Sequence, residues 1–225
     1  MNIVEQVDHW VKIQHALVSV SNKSGLDVLV TGLVELNPEI HLYSTGGTFE
    51  AISRILGPQA TARHVSRVAD YTGQPETQGG LVKTLDFKIY LGLLTETHNA
   101  SHQADLERTG AVPLDLVVVN LYPFEATVAR KGTTVETARA NIDIGGPCMI
   151  RAAAKNYLRV AAIVDPQDYP ELLASLRAGR GGLDLITRFE LAQKAFAHTA
   201  AYERAIYEYL GQQEPGELTS VYTLD

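Results

Sequence analysis

Residues 40–56 read Ile40-His41-Leu42-Tyr43-Ser44-Thr45-Gly46-Gly47-Thr48-Phe49-Glu50-Ala51-Ile52-Ser53-Arg54-Ile55-Leu56. The first four are short, apolar and β-prone. The last eight carry apolar residues at helical spacing. Between them lies a tight glycine turn. Strand, turn and helix start is the unit from which a parallel α/β sheet is built. Two glycines let the backbone bend sharply and let a ligand come close. The hydroxyls of Ser44, Thr45 and Thr48, with the free N–H groups of the first helical turn, converge on one spot suited to a phosphate. A plain β-turn-α connection capped by Thr48 fits the same residues. A Walker loop is excluded, because no Gly-Lys-Ser/Thr follows.

Upstream, His15 to Val20 reads as a strand running into Ser19-Val20-Ser21-Asn22-Lys23-Ser24-Gly25, a second polar turn before the helical Leu26 to Leu36. Hydroxyls and one lysine suit an anion; a capped surface turn is the other reading. Downstream, Ala62 to Val65 and Lys88 to Leu94 read as strands and Ser101 to Arg108 as a helix. Asp70 to Gly80 has loop chemistry without periodicity, and long loops inside compact domains are often functional. Leu114 to Asn120 is continuously apolar, hence buried on both faces as in a parallel sheet. It ends at Asn120-Leu121-Tyr122-Pro123-Phe124, where open α/β sheets bind ligands. Thr134 to Ala140 is a helix. Asn141-Ile142-Asp143-Ile144-Gly145-Gly146-Pro147 opens another, with Pro147 near its first position. Arg159 to Val164 is a strand, Asp168 to Arg177 a helix, and Leu183 to Leu210 a long amphipathic helix. The expected organisation is an arm over 1–14, loose or helical, and an α/β nucleotide-binding domain over 15–180. A helical extension over 181–210 and a polar tail over 211–225 follow. The fold class is α/β, with a mostly parallel sheet and helices on both faces. The apolar face of 183–210 suggests subunit contact.

The chain has 225 residues, 45% hydrophobic, with net charge −7 and a pI of about 5.5. That balance argues against non-specific nucleic-acid binding. No apolar run approaches the roughly 20 residues that span a bilayer, and residues 1–12 lack a signal-peptide layout. A cytoplasmic protein is the expectation. The single cysteine, Cys148, forms no internal disulfide, and no zinc spacing is present. Neither metal nor cofactor is expected.

Lys23, Lys83 and Lys155 stand in otherwise uncharged settings. Such a lysine either moves protons, if partly buried, or lies on the surface with its stem on apolar neighbours. Asp143 either orients an amide or caps a turn. Asn120 and Tyr122 can hydrogen-bond a heterocycle, and Tyr122 can support an oxyanion; Tyr122-Pro123-Phe124 also reads as core plus a turn. Cys148 reads as packing. From the residues alone the result is phosphorylated small-molecule binding with acid–base groups nearby.

Taken together and in order, the two turns, Val82-Lys83-Thr84-Leu85, Asp115 to Phe124, Asn141 to Pro147, Arg151-Ala152-Ala153-Ala154-Lys155-Asn156 and Leu191 to Tyr202 resemble the IMP cyclohydrolase domain of the bifunctional purine-biosynthesis family. The resemblance runs from about His15 to Leu210. It implies a methylglyoxal-synthase-like fold. It also implies ring closure of 5-formamidoimidazole-4-carboxamide ribotide (FAICAR) to IMP and water, the last step of de novo purine synthesis. By the resemblance, Ser21, Asn22, Lys23, Thr45, Gly46, Gly47 and Thr48 would hold the nucleotide, chiefly its phosphate. Lys83, Thr84 and Ile144 would line the site, and Asn120 and Asp143 would hold the carboxamide and base. Tyr122 would assist the oxyanion or departing water, and Lys155 would donate and accept protons. It further implies a homodimer and a separately encoded formyltransferase supplying the formylated substrate. The chain departs from the family pattern at Leu81, where an arginine is usual, and at Asp86 and Tyr90, where histidines are usual. A purine-nucleotide-binding module without catalysis is therefore the alternative. A methylglyoxal synthase on the same fold would leave the Asn141–Pro147 and Ala-Ala-Lys-Asn blocks without a role.

Overall fold

The structure, a computed structural model, describes residues 3–74, 77 and 82–224. In chain order it runs β1 (Trp10–Lys12), β2 (His15–Val20), α1 (Leu26–Leu36), β3 (His41–Ser44), α2 (Gly46–His64), β4 (Val65–Arg67) and α3 (Val68–Thr72). Then come α4 (Phe87–Leu94), α5 (Ala100–Thr109), β5 (Leu116–Asn120), α6 (Phe124–Val128), α7 (Val135–Ala140), α8 (Gly145–Lys155) and β6 (Ala161–Ile163). A short 3₁₀ turn, α9 (Tyr169–Ala178), β7 (Gly182–Asp184), α10 (Leu185–Gly211) and α11 (Pro215–Val221) complete it.

Five strands form one parallel sheet in the order β4-β3-β2-β5-β6. Side chains alternate across it, as period-two geometry requires. Leu17, Val117, Val119 and Ala162 face a core made with α4, α8 and α10. Ala16, Val18, Leu116, Val118 and Ile163 face a second core made with α1, α2 and α9. Every residue of β5 is buried, as its continuous apolar run requires. The chain winds outward from β2 to β4, then returns to the other side through β5 and β6. The switch point therefore lies between β2 and β5, where open sheets leave a crevice.

Several elements differ from the sequence expectation. Lys88–Leu94 lies in helix α4, not a strand. Seven residues of apolar character do not separate the two by periodicity. The decision comes from Asp86, whose carboxylate caps the helix by accepting from the Lys88 N–H at 2.7 Å, and from Ile89, Gly92 and Leu93, which share the buried face. The strand expected over 62–65 begins only at Val65, because α2 breaks at Gly57 (φ 75°) and then resumes through Pro58 to His64. In the arm, residues 10–12 form β1, which pairs antiparallel with β7. The polar tail contains α11.

At the amino edge of the sheet sits a buried ion pair. Arg159 Nη1 lies 2.9 Å from Asp115 Oδ1, with both side chains at least nine-tenths buried. The guanidinium also donates to the carbonyls of Thr95, Leu114 and Gly92. The other Asp115 oxygen accepts the Gln14 and His15 N–H groups at 2.9 and 3.0 Å. Removing one partner of such a pair strands a buried charge. Arg159→Met is expected to lower unfolding stability by about 3–5 kcal/mol in urea titrations. Arg63→Met, which breaks an exposed pair with Glu39, should cost under about 1 kcal/mol.

Candidate active site

A cavity of about 720 Å³ opens at the carboxyl edge of the sheet, over the switch point. Its walls come from the ends of three strands: Ser19 to Ser21 after β2, Thr45 to Thr48 after β3, and Asn120 and Tyr122 after β5. Residues 82–85 form one side, and residues 140–146, at the start of α8, form the other. The volume suits a nucleotide-sized ligand.

Two helix N-termini face the cavity, α2 at Gly46 and α8 at Gly145. Each turns the positive end of its dipole to the cavity, α2 with the N–H groups of Gly46 and Gly47 and α8 with that of Gly145, since the Gly146 N–H is bonded to Asp143. Gly46 has φ +39°, and the Lys83 ammonium lies 3.4 Å from where its Cβ would be. Lys83 therefore lies directly over the 45–48 turn. A Cβ on Gly145 would meet Thr84 Oγ1 at 2.6 Å, so a bare backbone there lets residues 83–85 close over α8. Among the described residues the lining carries Lys23, Lys83 and one carboxylate, Asp143. An acidic protein thus presents a net cationic surface where an anion would bind.

The hydroxyls divide between structure and cavity. Ser44 is fully buried and donates to the Val18 carbonyl at 2.7 Å. Thr48 Oγ1 donates to the Val20 carbonyl at 3.0 Å and accepts the Val20 N–H at 3.1 Å. These two pin α2 to β2 and are not free for a phosphate, contrary to the expectation that both converge on it. Thr45 keeps its place and pairs with Ser19 at 2.9 Å. Ser19 was not singled out from sequence, although it lies two residues before Ser21 at a strand end and so on the same side of the backbone.

Asn120 differs from its expected role in a similar way. Its Oδ1 accepts the Asn22 N–H at 2.7 Å, and its Nδ2 donates to the Asn22 carbonyl at 2.9 Å. The amide mimics a strand partner and fixes the 19–25 turn. Asn22 in turn spends its side chain on Ser24 and does not line the cavity. Ser21, Lys23, Gly46, Gly47, Lys83, Thr84, Tyr122, Asp143 and Ile144 all do.

Asp143 is half-buried, and burial pushes its carboxyl above the ordinary aspartate value. Hydrogen bonds from the Gly146 N–H, at 2.9 Å, and the Tyr122 N–H oppose that shift. Tyr122 and Ile144 are exposed at the mouth. Lys23, Lys83 and Lys155 are all exposed, the first two at the cavity. Lys155 does not join the others. It ends α8, ten residues from Gly145, so about 15 Å of helix separates it from the mouth. The neighbouring Asn156 bonds the carbonyls of Leu93 and Thr95, as Arg159 does those of Thr95 and Leu114 at the opposite edge of the sheet. Of the departures noted above, Asp86 is a helix cap. Tyr90 is half-buried beside Cys148, where burial raises its hydroxyl pKa. Leu81 lies outside the described residues.

A model described as an MGS-like domain matches residues 25–148. The chain belongs to that family. A model described as AICARFT/IMPCHase bienzyme matches residues 153–224 of this MGS-like protein. It is 46% identical over 217 residues to the bifunctional purine biosynthesis protein PurH of Magnetococcus marinus, covering 95% of this chain and 39% of that protein. With PurH of a Nostoc species the identity is 48% over 195 residues, covering 87% and 37%. The chain thus spans about two fifths of the length of the curated relatives it matches. A solved structure titled "Crystal structure of ForH" superposes with a TM-score of 0.75 at 32% identity, covering 88% of this chain and 97% of that one.

Gly47 separates folding from ligand approach. A Cβ there meets nothing within 4 Å, so Gly47→Ala should keep the thermal midpoint of the wild type. Because Gly47 lines the cavity, the added methyl should lower affinity for a nucleoside monophosphate about tenfold by calorimetry.

Proposed function

We propose that this protein is an IMP cyclohydrolase, closing the ring of FAICAR to give IMP and water. One observation carries the reading: the two polar turns after β2 and β3, Lys83, Tyr122 and Asp143 line one nucleotide-sized cavity at the switch point. The likeness to PurH over nearly the whole chain supports it.

The reaction is intramolecular. The carboxamide nitrogen attacks the formyl carbon and gives up one proton, the formamide nitrogen gives up its own as the ring C=N bond forms, and the former formyl oxygen departs with both as water. Holding the two groups together can supply about 7–11 kcal/mol of the barrier. The phosphate sits at the N-terminus of α2, with Thr45, Ser21 and Lys23 around it. The reacting groups then lie toward Tyr122, Asp143 and the N-terminus of α8. Asp143, held by two N–H donors, accepts a hydrogen bond or proton from the carboxamide. The Tyr122 hydroxyl and Lys83 ammonium face the oxygen that gathers negative charge. No step needs a cofactor.

Lys155 enters this scheme only through another chain. Its own cavity is out of reach, so a second copy must present the exposed end of its α8. A homodimer seated partly on the exposed Ile186, Phe189 and Phe196 of α10 would provide one. Supply of the substrate falls to a formyl-transfer reaction acting on the 5-amino precursor.

Purified protein should turn over synthetic FAICAR, followed by IMP absorbance, and Asp143→Asn should lose at least about a hundredfold in kcat. Binding of IMP without turnover would instead leave the nucleotide-binding module. The active form of Asp143 is the carboxylate. Its pKa is raised, so activity should be full well above that value and fall as pH drops through it. The acid limb should therefore lie above the ordinary aspartate value of 3.8. Mixing inactive Lys155→Ala and Asp143→Asn proteins should restore partial turnover if chains share sites; no restoration would remove Lys155 from the scheme.

A further inference from the structure

We infer that Tyr202, on the C-terminal helix α10, is a positioning residue for the catalytic wall. The inference rests on the cyclohydrolase reading only for its effect on turnover. The Asp143 N–H donates to the Tyr202 hydroxyl at 2.8 Å, across 59 residues of sequence. Tyr202 is 9% exposed, so this bond is shielded from competing water. The donor matters because of where it sits. Asp143 lies in the turn between α7 and α8, with its carboxylate at the cavity. The Gly146 and Tyr122 N–H groups orient the carboxylate, but its own backbone is held by Tyr202.

The same ring reaches the other half of the wall. It packs edge-on against Phe124, with ring centroids 6.2 Å apart. Phe124 begins α6 two residues after Tyr122, and its N–H donates to the Tyr122 carbonyl at 2.8 Å. One side chain thus braces the segment carrying Tyr122 and the turn carrying Asp143. Such bracing is what small catalytic misplacements are sensitive to. Tyr202 touches no cavity surface itself, so its effect is carried through Asp143 and Phe124.

Tyr202→Phe removes the hydroxyl and keeps the ring against Phe124. Two readouts separate the claims. Amide hydrogen exchange at Asp143 should quicken about tenfold in the variant, and kcat for FAICAR should fall about tenfold with KM within about twofold. Tyr209→Phe serves as the packing control. Tyr209 also packs edge-on against Phe124, at 5.8 Å, and this variant should leave Asp143 exchange and kcat at wild-type values. Unchanged Asp143 exchange in Tyr202→Phe would overturn the inference. So would unchanged kcat in an active background, or an equal loss in Tyr209→Phe. A wild type that shows protected Asp143 exchange but no FAICAR turnover would refute the cyclohydrolase reading alone, since the exchange still reports the brace.

Discussion

The buried pair of Asp115 and Arg159 is the constraint on which the sheet depends. Parallel strands β2, β5 and β6 begin side by side, and their first backbone groups have no turn to satisfy them. Asp115 takes the N–H groups of Gln14 and His15, while Arg159 takes three carbonyls from the segments around α4 and β5. An uncompensated charge here would cost several kcal/mol. Once those partners are in place, the register of β2 against β5 is fixed along the whole strand. The residues that emerge at the far edge, Ser19 to Ser21 beside Asn120, then arrive together at the cavity mouth.

At that far edge the polar residues divide into two kinds. Ser44, Thr48 and Asn120 stand in for missing backbone partners where strands stop and helices start. Thr45, Ser21, Lys23, Lys83 and Asp143 keep groups toward the cavity. The first set makes the second possible. Buried polar atoms must be satisfied within the protein, and doing so with side chains leaves the helix N–H groups of Gly46 and Gly145 to the ligand. An Asn120 without its amide would free the 19–25 turn, which carries Ser21 and Lys23 to the cavity.

How much was legible in the sequence follows from this division. The Ser44–Thr48 turn, the buried run of β5 and the Asn141–Pro147 turn each carry local signals, and all three line the cavity. Which hydroxyl faces inward is set by tertiary pairing, and neither spacing nor residue type separates Thr45 from Thr48. Lys88–Leu94 misled for a related reason: its apolar run suits strand or helix, and the Asp86 cap decides. Lys155 shares a helix with the site and so seems near it in sequence, yet α8 runs antiparallel to the strands and carries it to the opposite edge.

Residues 181–210 read as a helical extension, and α10 packs into the body of the protein. Arg188, fully buried on α10, donates to the carbonyls of Asp8, His9, Tyr157, Leu158 and Leu183. It thereby ties the arm, the loop before β6 and the helix start into one body. Fourteen residues, about 21 Å, further along the helix, Tyr202 reaches Asp143. A guanidinium paired only with carbonyls forms no strong ion pair, but it tolerates few alternative arrangements, because each carbonyl lone pair has one direction of approach. The same helix that closes the core on the α4 and α8 face therefore sets the height of the turn that carries Asp143. A shift of α10 by one helical turn would move Tyr202 about 5 Å, which breaks its bond to Asp143 and the five Arg188 bonds at once. The extension is part of the site, held in register from its far end.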